Sequence, residues 1–278
     1  MDIHFVYIIF LENANGHKIG SEFPKYFQYE YGANTSLLLE KALNNNDLTK
    51  SEPSDNIEIA KLSIIKRILK QHKLKVSGKK KELVERIKDN LNEKEIQENF
   101  PGSFYVLTDK GRNLVNENDH IIYYHKSKIL KYEVSIERYD DLLKNTKDPN
   151  LKYEVALELL DENARKERKE RNWGQYTNSL LAKAYVYEDK NEYKLALDLY
   201  LKICLLDSSG LKNGNFYMPK SVMLAPGIIK FIKKLISKLK LDTNDLKKRY
   251  YKSAEELNLP KTKLSKETSF KRLIKALK

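Results

Sequence analysis

Ten positions between Lys66 and Arg86 carry side chains or backbone suited to holding a phosphodiester strand. Lys66, Arg67 and Lys70 come first, then Lys75, Ser77 and Gly78, and then Lys79, Lys80, Lys81 and Arg86. Ammonium and guanidinium groups bring charge and hydrogen-bond donors to phosphate oxygens, an interaction that positions a protein without reading bases. The three consecutive lysines fall where a helix is expected to begin. Ser77 is able to cap that helix, and Gly78 is able to take a backbone conformation closed to other residues. A helix N-terminus presents unpaired amide N–H groups and a partial positive charge, so Lys79, Lys80 and Lys81 would reinforce a phosphate site. Acidic residues usually occupy a first turn, and lysines there cost the helix stability that an anionic partner would restore. The competing reading is a charged face that simply meets water.

Two short amphipathic helices must carry these groups. Ile64, Ile65, Ile68 and Leu69 recur at helical spacing before the linker, and Leu83, Val84, Ile87 and Leu91 do so after it. Together with Leu74, Gly78, Lys80, Leu83 and Arg86, the run from Lys61 to Leu91 resembles the SAP domain, a helix-extended-helix module. The resemblance implies binding to double-stranded DNA, often AT-rich, with little sequence stringency. Phosphates would meet Gly78 to Lys81, with Lys75 in the linker, Arg86 further along the second helix, and Lys66, Arg67 and Lys70 flanking. One departure is Lys73, where the family commonly has glycine; it is expected to weaken the sharp end of the first helix.

Charge is concentrated rather than spread. Residues 61–88 hold 11 Lys/Arg and 2 Asp/Glu, a net of +9, and residues 229–278 hold 16 and 5, a net of +11. Setting these aside from totals of 52 and 39 leaves 25 basic and 32 acidic residues, a net of −7. The overall +13 therefore comes from two separated blocks on an acidic remainder. Such patches raise affinity for polyanions and make it fall with salt.

Other chemistries find less support. His120 and His125 are five apart, a spacing that diverges on a helix and alternates on a strand, so a metal site is not expected. No phosphate-binding GxxxxGK[ST], GxSxG elbow or GxGxxG is present. Asp140, Asp141, Asp161 and Glu162 are the acids that a Mg²⁺-dependent nuclease would need brought together, but their spacing alone builds no cluster. The expectation is a protein that is not an enzyme and has no cofactor. Cys204 is the single cysteine, which excludes an internal disulfide and suits a reducing cytoplasm, or a nucleus if the host is eukaryotic. No apolar run approaches the roughly 20 residues that cross a bilayer.

The fold class expected is mainly α, with a small N-terminal β element, the helix-extended-helix module and a winged-helix-like segment, followed by an α-helical domain. Residues 1–22 read as a β segment closed by the Asn15-Gly16 turn, within an N-terminal region 1–60. Phe23, Tyr26, Phe27, Tyr29 and Tyr31 would pack it on a helix beginning at Ser36 after Asn34, or else stack on bases. After the module at 61–91, residues 92–145 hold a helix ending before Pro101-Gly102, a strand over Phe104–Leu107 and a helix capped by Thr108. Their LT-x-x-G-R run is similar to a segment of winged-helix proteins and of some Gram-positive bacterial and phage SAP proteins. Lys110 and Arg112 in that segment either extend the basic surface or simply face solvent.

From Ser135 the pattern is helical. In the 150–278 region, Tyr176, Leu180, Ala184 and Tyr187 form one stripe and Tyr193, Ala196, Tyr200 and Ile203 the returning one. That hairpin, near 176–206, resembles a tetratricopeptide unit at Ala184, Tyr187, Ala196 and Tyr200, though a plain bundle explains it as well. A break at 208–220 precedes helices opened by Pro226-Gly227 and Thr243 and capped by Ser265. Lys230, Lys233, Lys234 and Lys238 either form a second DNA surface or solubilise the end of a helical domain. The sequence thus points to a DNA-binding protein whose 150–278 region engages protein or itself. The other reading is a phage or prophage assembly scaffold in which the SAP-like hairpin binds protein.

Overall fold

The computed structural model describes residues 3–144, 148–211, 224–260, 262 and 264–278. The chain divides into two compact units, Met1–His125 and Lys126–Lys278. Seventeen helices and two short strands lie among the described residues.

The first unit begins with helix α1, Ile3–Ala14. This corrects the strand expected for residues 1–22. Phe5 through Leu11 are buried without a gap, so the helix is apolar on every side and sits inside the unit. Asn15-Gly16 does turn the chain, with Gly16 at φ +84°, and the following backbone lies along the 103–105 segment through Gly16 N–H to Tyr105 O at 2.8 Å and Ile19 N–H to Ser103 O at 2.9 Å. Helix α2 is Tyr26–Tyr29 and α3 is Thr35–Asn44, capped by the Asn34 carboxamide accepting from Ser36 N–H at 2.9 Å. Of the aromatic cluster, Phe27 is fully buried and, with half-buried Phe23, meets Phe10 of α1; Tyr26 and Tyr31 are half-buried and Tyr29 is 77% exposed.

Strand β1, Leu48–Lys50, leads to α4, Pro53–Ile59, α5, Leu62–Gln71, α6, Lys80–Asn90, and α7, Glu93–Asn99. Strand β2, Tyr105–Leu107, pairs antiparallel with β1, Leu48 opposite Leu107 and Lys50 opposite Tyr105. The small β element is thus made by residues 48–50 and 105–107. Helix α8, Asp109–Glu117, is capped by Thr108, whose Oγ1 accepts from Gly111 N–H at 3.1 Å, as its sequence predicts. Helix α9 is Asp119–Lys126.

The second unit contains α10, Leu130–Glu133, α11, Ile136–Leu143, α12, Leu151–Lys169, α13, Trp173–Asp189, and α14, Tyr193–Ser209. Ser135 caps α11 as expected, its Oγ accepting from Arg138 N–H at 3.4 Å. The expected hairpin is α13 with α14, and Ala184 and Ala196 are fully buried between them. The turn before it and the turn within it close alike. Arg171 and Asn191 both take positive φ, and each is followed by an amide reaching back five residues at 2.8 Å, Asn172 to Glu167 O and Glu192 to Tyr187 O.

Helices α15, Pro226–Leu239, α16, Thr243–Leu257, and α17, Lys266–Leu277, surround α14. Helix α16 begins at Thr243 as expected, with Asp242 as its cap, and Ser265 caps α17. Ile228, Ile229, Ile232 and Leu235 bury one face of α15 with Tyr200, Tyr250 and Leu273. Most of the break at 208–220 lies outside the described residues. Among the described residues no helix is long and apolar enough to cross a membrane.

Candidate nucleic-acid interface

Helix α5 buries Ile65, Ile68 and Leu69, which turns Lys66, Arg67 and Lys70 to solvent on the opposite side. Its end is sharp despite Lys73, contrary to the expectation from that residue. Lys73 takes the left-handed conformation itself at φ +55°, and Leu74 N–H closes on Leu69 O at 2.7 Å. For a residue with a Cβ that conformation costs about 1 kcal/mol. Leu74 then packs on the core, and the chain leaves as an exposed linker, Lys75 to Gly78.

The start of α6 differs from its expected cap. Lys79, not Ser77, is the N-cap residue, and the carboxylate of Glu82 accepts from its N–H at 3.2 Å. The first turn therefore does contain an acid, three residues beyond the cap, where it complements the helix dipole. Gly78 is at φ +133°, and a Cβ there would come within 2.5 Å of Glu82 Oε2. The backbone conformation is what calls for glycine, since the end of the Glu82 side chain could shift to admit a Cβ.

Of the ten residues singled out, two are held by the protein's own backbone. Lys80 Nζ donates to Glu58 O at 2.5 Å, and Arg86 Nη1 donates to Lys75 O at 2.6 Å and Ser77 O at 3.2 Å. Lys66, Arg67, Lys70, Lys75, Lys79 and Lys81 are exposed and form no ion pair among the described residues. Neighbouring Lys88, by contrast, pairs with Glu58 at 2.7 Å. Six of the ten therefore lie along the exposed side of α5, the linker and the first turn of α6 in no ion pair among the described residues.

The hairpin does not stand alone. Its core residues Ile65, Ile68, Leu69, Leu83, Val84 and Ile87 share one cluster with Ile57 of α4 and with Ile96 and Phe100 at α7. Asn56, buried in α4, locks this arrangement: its Nδ2 donates to Phe100 O at 2.9 Å and Gly102 O at 3.0 Å, and its Oδ1 accepts from Ser51 Oγ at 2.8 Å. Sequence reasoning missed Asn56 because its partners are backbone carbonyls more than forty residues away.

Lys110 serves the fold. Its Nζ lies 3.0 Å from Oδ1 of Asp47, a buried carboxylate whose Oδ2 also accepts from Tyr7 OH at 2.6 Å. Beside it, Gly111 lets the backbone of residue 47 approach, since a Cβ would fall 2.0 Å from Asp47 O. Arg112 is exposed and lies 3.6 Å from Asp109. His120 is buried in α9, and His125 Nδ1 is 2.6 Å from Tyr31 OH. Among the acids considered for Mg²⁺, Asp141 is ion-paired with Lys144, Asp161 with Lys183 and Glu162 with Arg138.

In the C-terminal basic block, Lys234 pairs at 2.7 Å with Glu188, which also accepts from Tyr200 OH. Lys238 sits 3.5 Å above the Tyr193 ring, while Lys230 and Lys233 face solvent. Half of that lysine stripe therefore fastens α15 to α13 and α14.

Residues 65–92 match the family model of the SAP domain, a module that generally binds DNA. The chain matches none of the curated proteins.

Proposed function

We propose that this chain binds double-stranded DNA with low sequence stringency, the SAP module contacting the phosphate backbone through Lys66, Arg67, Lys70, Lys75, Lys79 and Lys81. The observation that carries the reading is the pairing pattern. Those six cations are exposed and form no ion pair among the described residues, inside a segment that matches a DNA-binding family. Exposed charge of this kind releases condensed counterions when it meets a phosphate backbone, which is the main source of affinity for DNA of any sequence. The protein acts without chemistry of its own on the DNA, a reading supported by the ion pairs that hold Asp141, Asp161 and Glu162.

Residues 150–278 are proposed to engage a protein partner or a second copy of the chain. Two successive helical hairpins closed by the same turn support an αα-repeat-like surface, and Leu195 on α14 is 45% exposed.

Fluorescence anisotropy of a labelled duplex tests the DNA reading. Binding should weaken with salt at a slope of log K against log salt near about −5 if all six cations meet phosphate, and it should vary little between unrelated sequences. Absence of binding at low ionic strength would overturn it and favour the scaffold reading. Mg²⁺-dependent cleavage of plasmid would overturn the non-enzymatic part alone.

A further inference from the structure

We propose that Arg86 is a positioning residue: it fixes the shape of the Lys75–Gly78 linker on which the phosphate-facing lysines depend, and it does not itself meet phosphate. The proposal rests on the DNA-binding reading above and concerns how that surface is built.

Both ends of the linker are secured by helix termini. Leu74 closes α5 through Leu69 O, and Lys79 opens α6 on the Glu82 carboxylate. Between them Lys75, Val76, Ser77 and Gly78 are all exposed, and Val76 is an apolar residue left 40% exposed. Among the described residues, the hydrogen bonds that tie this stretch to the rest of the chain are the two from Arg86 Nη1. Extended backbone turns alternate carbonyls to the same side, so Lys75 O and Ser77 O face one guanidinium nitrogen with two hydrogens to give. A permanently charged donor makes stronger bonds to carbonyls than a neutral one. Arg86 is half-buried, one helical turn beyond Leu83.

Without that guanidinium, a four-residue exposed stretch containing glycine regains conformational freedom. Lys75 and Lys79 would then lose their fixed separation, and the cost of ordering them would fall on the binding step.

Arg86→Gln and Arg86→Lys in the full chain test this, with duplex affinity measured across a salt series, melting temperature recorded, and backbone order at residues 75–78 followed by ¹⁵N relaxation. Arg86→Gln is expected to weaken binding roughly fivefold to tenfold through lost pre-organisation, to loosen residues 75–78, and to leave the salt slope unchanged. Lys79→Gln, which removes a phosphate contact, should instead reduce the magnitude of the slope by about 0.9. Arg86→Lys keeps the charge but ends one bond short of the Nη1 position, so it should stay weakened at an unchanged melting temperature.

A slope reduced by Arg86→Gln as by Lys79→Gln would show a direct phosphate contact and overturn the proposal. So would full affinity in Arg86→Lys with the linker still loose, or affinity unchanged in both variants. If the unsubstituted chain binds no duplex at low salt, the DNA reading fails. Linker order in Arg86→Gln then still decides whether the guanidinium shapes this segment.

Discussion

The two basic blocks carry similar charge but use it differently. Residues 61–88 have a net charge of +9, and eight of their cations, the six above with Lys61 and Lys73, are exposed and in no ion pair among the described residues. Residues 229–278 have a net charge of +11, yet Lys234 pairs with Glu188, Arg249 holds both oxygens of Asp198 at 2.9 and 3.1 Å, Lys252 reaches Glu256, and Lys271 pairs with Glu267. Net charge counts side chains, whereas a polyanion meets only those the fold leaves available. The proposed phosphate surface is the denser of the two: its exposed, unpaired cations lie within residues 61–81, whereas Lys230, Lys233, Lys240, Lys247, Lys248, Lys266 and Lys275, also exposed and without an ion pair among the described residues, are spread over residues 230–275.

The strongest way to break this comparison is charge reversal at each block. Lys75→Glu, Lys79→Glu and Lys81→Glu together should weaken duplex binding by about a hundredfold or more, because three released counterions become three repulsions. Lys230→Glu with Lys233→Glu should change it by less than about threefold. Anisotropy titrations at one fixed salt concentration compare the two directly, and equal losses would put the second block in the interface.

Next in size is the latch under the first block. Asn56→Ala leaves two backbone carbonyls and Ser51 without their partner, and it should destabilise the first unit by about 2 kcal/mol in denaturant unfolding. The loss of duplex affinity should be no larger than the added unfolded fraction explains.

The second unit offers a further contrast, a pair of half-buried carboxylates beside one serine. Ser179 Oγ lies 3.0 Å from Glu167 Oε2 and 3.5 Å from Glu133 Oε2. Burial, and then the charge of Glu167, push the Glu133 carboxyl up to about 7. The folded state therefore keeps a proton that the unfolded state releases above its ordinary carboxylate range, so this group's stabilisation is complete below about pH 4.5 and is lost as pH rises through about 7. The second unit should lose about 1 kcal/mol, screened by solvent, between pH 5.5 and 8. Glu133→Gln should flatten that part of the pH dependence of urea melts. A slope of opposite sign attributable to Glu133 would contradict the burial of this pair.

The smallest effect is at Lys73. Lys73→Gly should stabilise the first unit by about 0.5–1 kcal/mol, because glycine takes φ +55° without strain, and should leave duplex affinity within about twofold. Calorimetric melting measures the first and anisotropy the second.

Much of this arrangement was legible in the residue pattern. Ala184 and Ala196 marked the close approach of α13 and α14, and Thr108, Ser135 and Ser265 cap the helices they precede. The first helix was not legible, because Phe5 to Leu11 are apolar at every position and so fit a strand as well as a buried helix. The Glu82 cap had a readable signal, an acid three residues after the N-cap position of α6, Lys79. The bonds of Lys80 and Arg86 had none, since their partners are main-chain carbonyls, which every residue possesses.

Cys204 is fully enclosed in α14, and burial raises its thiol well above the ordinary range. To maleimides and iodoacetamides the folded molecule therefore behaves as though it had no sulfhydryl at all. A cysteine introduced at position 75 or 79 would be the sole reactive handle, ready for a fluorophore, a spin label or a photo-crosslinker, with the native sulfur left untouched.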